Sequence, residues 1–161
     1  MTLVLHRIDD RLIHGQVVVG WGQPLDIRFI ILVDDEVAAS EWEQELYRMG
    51  VPPEMDVYFL SVNKAISELP RYRADARHGI LLTGDIDTMR RLVDAGGITS
   101  INLGGIHHRT GRTQRLRYVF LNGDEETALR EIATLGVAIS AQDVPGARPI
   151  PQDDILAGVA S

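Results

Sequence analysis

The sequence predicts an α/β protein: residues 1–161 as a single domain, built on an open, mainly parallel sheet of about seven strands with helices on both faces. Three observations predict it. Apolar runs of strand length alternate with segments of helical period from end to end, the pattern of a parallel α/β sheet. Phe29-Ile30-Ile31-Leu32-Val33 and Gly79-Ile80-Leu81-Leu82-Thr83 read as continuous apolar runs, as strands covered on both faces require. A chain of 161 residues has the length of one domain with a core of its own, and it shows no repeat, low-complexity tract or linker.

Leu3-Val4-Leu5 anchors a first strand over 2–8. The segment from Gly15 to Trp21 reads as a first helix on topology rather than propensity. Its valines and Gly20 are poor helix formers, but a parallel strand pair needs a crossover. A second strand covers 27–33. Ser40-Glu41-Trp42-Glu43 has capping-box spacing and opens a helix to about Met49, with Trp42, Leu46 and Met49 on one face. Trp42 and Trp21 are both expected in the core, Trp21 near the edge of the site. Pro52-Pro53 is a loop. A strand at 56–60 leads to a helix capped by Ser61, in which Val62, Ile66 and Leu69 align before Pro70 is expected to stop it. Strand 79–83 precedes a helix over 85–95, where Ile86, Met89, Leu92 and Val93 share a face and Gly96-Gly97 ends it. Strands follow at 99–103 and 114–121. Asp124, Glu125 and Glu126 then supply the negative charge that favours a first helical turn, with Leu129, Ile132 and Ala133 facing inward. A strand at 137–142 and a helical turn after Pro151 complete the series.

Composition narrows the function. No apolar run approaches the roughly 20 residues that span a bilayer, and the N-terminus lacks the order of a signal peptide. With no cysteine there is no disulfide, thiolate nucleophile or Cys-ligated zinc, which fits the cytosol. A net charge of −7 argues against nonspecific binding to nucleic acid or anionic lipid. Neither Gly-x-Gly-x-x-Gly nor a phosphate-loop motif is present, so a nucleotide-binding enzyme is disfavoured and no cofactor is expected. The basic residues cluster: Arg109, Arg112, Arg115 and Arg117 fall within nine residues, and Arg7 and Arg11 flank another loop. Such a face suits an anionic target, or is a solvated loop.

The run Arg7-Ile8-Asp9-Asp10-Arg11-Leu12-Ile13-His14-Gly15-Gln16-Val17 holds the most informative residue, His14. It sits where a strand passes into a helix, and the free N–H groups and dipole of a helix start suit an anion. A neutral imidazole is a nucleophile near physiological pH. A structural histidine satisfying a local hydrogen bond is the alternative. In open α/β sheets, sites gather at the carboxyl ends of strands. The loops at 9–15, 34–40, 84–85 and 104–113 would therefore share one rim. Gly104 and Gly105 would let a backbone approach closely there, with Arg109 and Arg112 projecting from the same segment. Asp34 and Asp35 read as a satisfied turn after a strand rather than a metal or paired-acid site.

Residues 7 to 17 resemble, without a gap, the opening run of the IIB components of mannose-class (mannose/fructose/sorbose) sugar phosphotransferase systems. The likeness continues through Ile31-Leu32-Val33-Asp34-Asp35-Glu36-Val37-Ala38, Ser100-Ile101-Asn102-Leu103-Gly104-Gly105 and Arg109-Thr110-Gly111-Arg112-Thr113-Gln114. The resemblance implies that His14 takes a phosphoryl group from a phosphorylated IIA protein, Nδ1 being the family expectation, and passes it to a sugar held by membrane IIC/IID subunits. It implies a cytoplasmic protein at the inner face of the membrane through those subunits, with Arg11 in charge-assisted contact with the phosphate; a salt bridge from Arg11 to Asp9 or Asp10 is the alternative. The N–H groups of Gly15, Gln16 and Val17 are the candidate phosphate cradle. Asp10 would orient the imidazole or hold Arg11 from behind. His107-His108 departs from the apolar or small residues relatives carry, and two histidines without a third ligand make zinc improbable. The alternative reading is a regulatory phosphoprotein of the same type that signals nutrient state without transport.

Overall fold

β2 (Ile27–Val33) explains why the sheet is covered twice. Successive side chains on a strand point to opposite faces. Phe29, Ile31 and Val33 enter one buried cluster, and Ile30 and Leu32 enter another. The computed structural model describes residues 2–158; Met1 and residues 159–161 of the expected domain lie outside them. β1 (Leu3–Ile8), β3 (Asp56–Leu60), β4 (His78–Thr83), β5 (Ser100–Leu103), β8 (Ala138–Ala141) and β9 (Ile150–Pro151) join β2 in a seven-stranded sheet. Its order is β3-β2-β4-β1-β5-β8-β9, parallel except for β9 against β8.

Helices α3 (Val62–Arg73), α4 (Ile86–Asp94), α5 (Gly123–Thr134) and α6 (Gln152–Ala157) bury apolar residues in the larger cluster. α1 (Asp35–Ala38) and α2 (Glu41–Met49) lie with the segment Gln16–Trp21 on the other face. The caps follow the sequence: Ser40, Ser61, Asp85 and Asn122 each accept a backbone N–H of the first turn, and Asn122 with Glu125 forms a full capping box.

Five expectations need correction. The first helix is a single wide π-type turn, Gln16–Trp21, as a Val-Val-Val-Gly run that propagates an α-helix poorly allows. Pro70 does not stop α3, which continues to Arg73. Set one turn from the end, the proline removes one backbone bond, and its own carbonyl still accepts from Ala74. The strand expected at 114–121 is a hairpin of β6 (Thr113–Leu116) and β7 (Val119–Leu121), antiparallel and outside the main sheet. The seventh strand of the sheet is instead β9, with Pro151 on an edge where no donor is needed. Finally, the Trp42, Leu46 and Met49 face of α2 points to solvent, at 71, 50 and 82% exposure, so Trp42 is not a core residue. Gln44 turns inward instead and donates to the carbonyls of Val37 and Ala38. Trp21 is buried as expected.

Candidate functional site

β1 lies in the middle of the sheet, between β4 and β5, and its carboxyl end is pinned on both sides. The Asp9 N–H donates to Thr83 O at 2.9 Å, and the Asp10 N–H to Gly105 O at 2.8 Å. The chain then reverses, with Leu12 N–H donating to Asp9 O at 3.0 Å. Leu12 closes this turn in the left-handed region, φ 59°, which costs a leucine about 1–2 kcal/mol. Its buried side chain offsets that cost, pressing on Gly84 so closely that a Cβ there would lie 2.8 Å from Leu12 Cδ2.

Asp9 is the hub. Its fully buried carboxylate accepts from Arg7 Nη2 at 3.1 Å, and from Arg11 Nε at 3.0 Å and Nη2 at 2.9 Å. Arg7, also fully buried, donates to Asn102 Oδ1, to the carbonyls of Gln142 and Asp143, and stacks 4.9 Å over the Trp21 ring. Trp21 Nε1 in turn donates to Asp143 O at 3.3 Å. Burial pushes the Asp9 carboxyl up, but the hydrogen bond from Arg11 and the charges of Arg7 and Arg11 outweigh it and hold the group below its ordinary range. Burial pushes Arg7 down, opposed by Asp9; the bond to Asp9 holds Arg11 up.

His14 leans on this hub. Its Nδ1 lies 2.8 Å from Leu12 O, so Nδ1 carries the proton and Nε2 the lone pair. Nε2 is buried without a hydrogen-bond partner, 3.9 Å from Asp9 Oδ2, while the side chain as a whole is 20% exposed. The side chain is therefore not sealed inside, although Nε2 itself is shielded. Among the described residues, the N–H groups of Gly15, Gln16 and Val17 find no acceptor, and the first bond of the turn is Val18 N–H to His14 O. Arg7 and Arg11 are set against Asp9, and Arg11 lies 3.9 Å from Asp143, so two guanidiniums converge on the carboxylate beside the imidazole.

Gly104 and Gly105 do allow close approach. A Cβ on Gly104 would fall 2.3 Å from Arg7 Nη2 and 2.5 Å from Asp9 Oδ2; one on Gly105 would meet Arg11 Nε and His107 Cε1 at 3.3 Å. Asp10 neither orients His14 nor holds Arg11 by a hydrogen bond. It accepts from the His107 N–H at 2.7 Å and contacts His107 Nδ1 at 2.5 Å, tying the 104–113 loop to the His14 loop. His108 packs edge-on against Phe120. Arg112 is a brace, paired with Glu125 at 2.7 Å and donating to His107 O. Only Arg109 projects as expected. Its guanidinium has no partner among the described residues, and it lines a cleft of about 360 Å³ with Asp10, Asp34, Asp35, Glu36, Asp85 and Arg112 that does not reach His14. Asp34 caps α1 and Asp35 accepts from Val62 N–H, the satisfied turn the sequence suggested.

A family model described as PTS system sorbose subfamily IIB component matches residues 3–160. The chain belongs to that IIB family. It is 35% identical to the PTS system sorbose-specific EIIB component of Lacticaseibacillus casei, over 99% of this chain and 96% of the relative. It is 36% identical to the mannose-specific EIIAB component of Escherichia coli (strain K12), covering 89% of this chain and 45% of that longer protein. The IIB domain of the sorbose permease from Klebsiella pneumoniae superposes with a TM-score of 0.88 at 31% identity, covering 99% of each chain. This IIB chain thus shares the fold of solved IIB domains, and among its described residues no helix is long and apolar enough to cross a membrane.

Sequence reasoning brought Arg11, His14 and the two glycines to one place, set Arg7 near them and offered Asp9 as a partner of Arg11, a pairing the structure shows. It gave Arg7 and Asp9 no role in the site, however, and missed Asn102 and Gln142. A signal existed for the pairing of Arg7 with Asp9. An arginine inside a central strand, two residues before an aspartate, must pair when the strand is buried.

Proposed function

We propose that His14 is the phosphoryl carrier of this IIB chain: phospho-IIA donates to it, and it passes the group to a sugar held by membrane IIC/IID subunits on the cytoplasmic side. The observation that carries this reading is a partly exposed imidazole set against a buried carboxylate that two guanidiniums clamp, with unpaired N–H groups following it in the chain. Transfer of a phosphoryl group needs in-line positioning and neutralisation of its equatorial oxygens rather than elaborate covalent chemistry. The guanidinium of Arg11 and the free amides of Gly15, Gln16 and Val17 supply that environment.

In the first step the P–N bond on IIA breaks as a new P–N bond forms on His14. Acceptance at Nδ1 requires this nitrogen to leave the Leu12 carbonyl and give its proton to solvent while Nε2 takes one up, a tautomer that Asp9 Oδ2, 3.9 Å from Nε2, stabilises; the freed Nδ1 lone pair then takes the phosphorus. In the second, a sugar hydroxyl oxygen takes the phosphorus, the P–N bond breaks, and the hydroxyl proton leaves to the imidazole or solvent. Arg11 swings from Asp9 toward the phosphate, or shields its charge from where it stands. The sugar pocket lies in the membrane subunits, so this chain needs none.

Incubation with labelled phospho-IIA tests the assignment. Wild type acquires an acid-labile, base-stable phosphate, and the His14→Ala variant acquires none. Undiminished labelling of that variant overturns it.

A further inference from the structure

α2 is mounted the wrong way round for a helix that serves only its own core. Trp42, Leu46 and Met49, spaced i, i+4 and i+7, form one apolar stripe facing water, and no residue of α2 is buried. The helix is not loosely placed. Ser40 caps it, Gln44 is hydrogen-bonded to two carbonyls of α1, and Tyr47 packs 6.5 Å from Phe59. A stripe held outward by polar anchors is an interaction surface in waiting, since a lone exposed tryptophan is costly and contiguous exposed apolar groups mark partners.

Charge selects the occupant. Glu41, Glu43 and Glu45 border the stripe, Glu36 lies one short helix away, and the one cation of α2, Arg48, is bound to Glu45 at 3.2 Å. Two copies of this helix packed face to face would oppose acid to acid, which rules against self-association. An acidic lipid surface is repelled for the same reason. A basic, apolar segment fits. Cytoplasmic loops of membrane proteins carry an excess of Lys and Arg. α1 and α2 also follow the carboxyl end of β2, on the same rim as His14, where Asp34, Asp35 and Glu36 line the acidic cleft.

We propose that the Trp42-Leu46-Met49 stripe and its glutamate border dock this chain onto the basic cytoplasmic face of its membrane subunits, presenting His14 to the sugar. The proposal rests on the relay described above for the partner's identity, but binding can be read without phosphoryl transfer.

The test uses the unphosphorylated full chain and inverted membrane vesicles that carry or lack the cognate IIC/IID subunits. Wild type co-sediments only with the subunit-bearing vesicles, more weakly at high salt, and Trp42 fluorescence shifts to the blue while buried Trp21 does not report. Trp42→Ser combined with Leu46→Gln, both at exposed positions, raises the chain concentration for half-maximal binding by at least about tenfold. It raises the concentration for half-maximal sugar phosphorylation equally and leaves labelling by phospho-IIA unchanged. Equal binding of the double variant and wild type overturns the proposal, as does binding to plain lipid, loss confined to the IIA step, or a wild-type dimer that the variant dissolves. Wild type that docks but is never labelled removes the relay and leaves the docking surface standing.

Discussion

Arg7 and Asp9 lie two residues apart at the end of β1, both fully buried, with Nη2 and Oδ2 3.1 Å from each other. The period of two along a strand places them on one side of the sheet. Neither charge has water to fall back on, so each makes the other tolerable.

Replacement of Asp9 by Asn leaves Arg7 as a buried charge without its counter-ion. The expected cost is about 3–5 kcal/mol of stability in denaturant unfolding. Asp10→Asn, which disturbs a contact to the exposed His107, costs about 1 kcal/mol or less. Equal losses in the two variants count against Asp9 as the hub.

The glycines of the site differ in kind. Gly104→Ala drives a methyl to within 2.5 Å of the Arg7–Asp9 pair, neither of which can retreat, so it destabilises the chain by about 2 kcal/mol or more and displaces His14. Gly15 has nothing within 4 Å of an added Cβ and an α-helical φ of −54°. Gly15→Ala therefore keeps or slightly raises stability, by up to about 1 kcal/mol. Thermal unfolding of both variants checks the pair, and a destabilised Gly15→Ala contradicts the geometry.

The legible part of the fold was whatever repeats along the chain. The six parallel strand runs, the helix caps and the position of His14 were readable because each is set by near neighbours, whereas the β6–β7 hairpin and the short edge strand β9 were not. The site's support was not, because Arg7, Asn102 and Gln142 meet across strands β1, β5 and the segment after β8, pairings that no local pattern encodes. α2 misled for a different reason. Its period correctly fixed which residues share a face, but not which face turns inward; two hydrogen bonds from Gln44 decide that.

His6, in β1, makes stability depend on pH. Burial, then the nearby charge of Arg73, pushes its pKa from 6.5 down to about 4. The unfolded chain thus binds a proton at His6 near pH 6.5 and the folded chain only near 4. Stability from this group is complete above 6.5 and is lost as pH falls from there to about 4, by about 3 kcal/mol in all. Replacing His6 with Leu removes this term, so the acid limb of unfolding free energy against pH becomes shallower in that window. Superimposable limbs rule it out.

Arg11 separates charge from shape. Its Nε and Nη2 reach the two oxygens of Asp9 at 3.0 and 2.9 Å, a fork that a lysine ammonium cannot copy. Because the side chain is one-third exposed, its loss costs little stability, about 1–2 kcal/mol at most. In the proposed relay its effect on rate is larger: Arg11→Met removes a cation beside the transferring group and slows labelling by phospho-IIA about 100-fold or more. Arg11→Lys restores the charge without the fork and recovers part of that loss, to within about tenfold of wild type. Rapid-quench single turnovers, run beside unfolding curves, measure both quantities. If Lys and Met lose rate equally, the fork matters and the charge alone does not; if neither loses rate, Arg11 only holds Asp9.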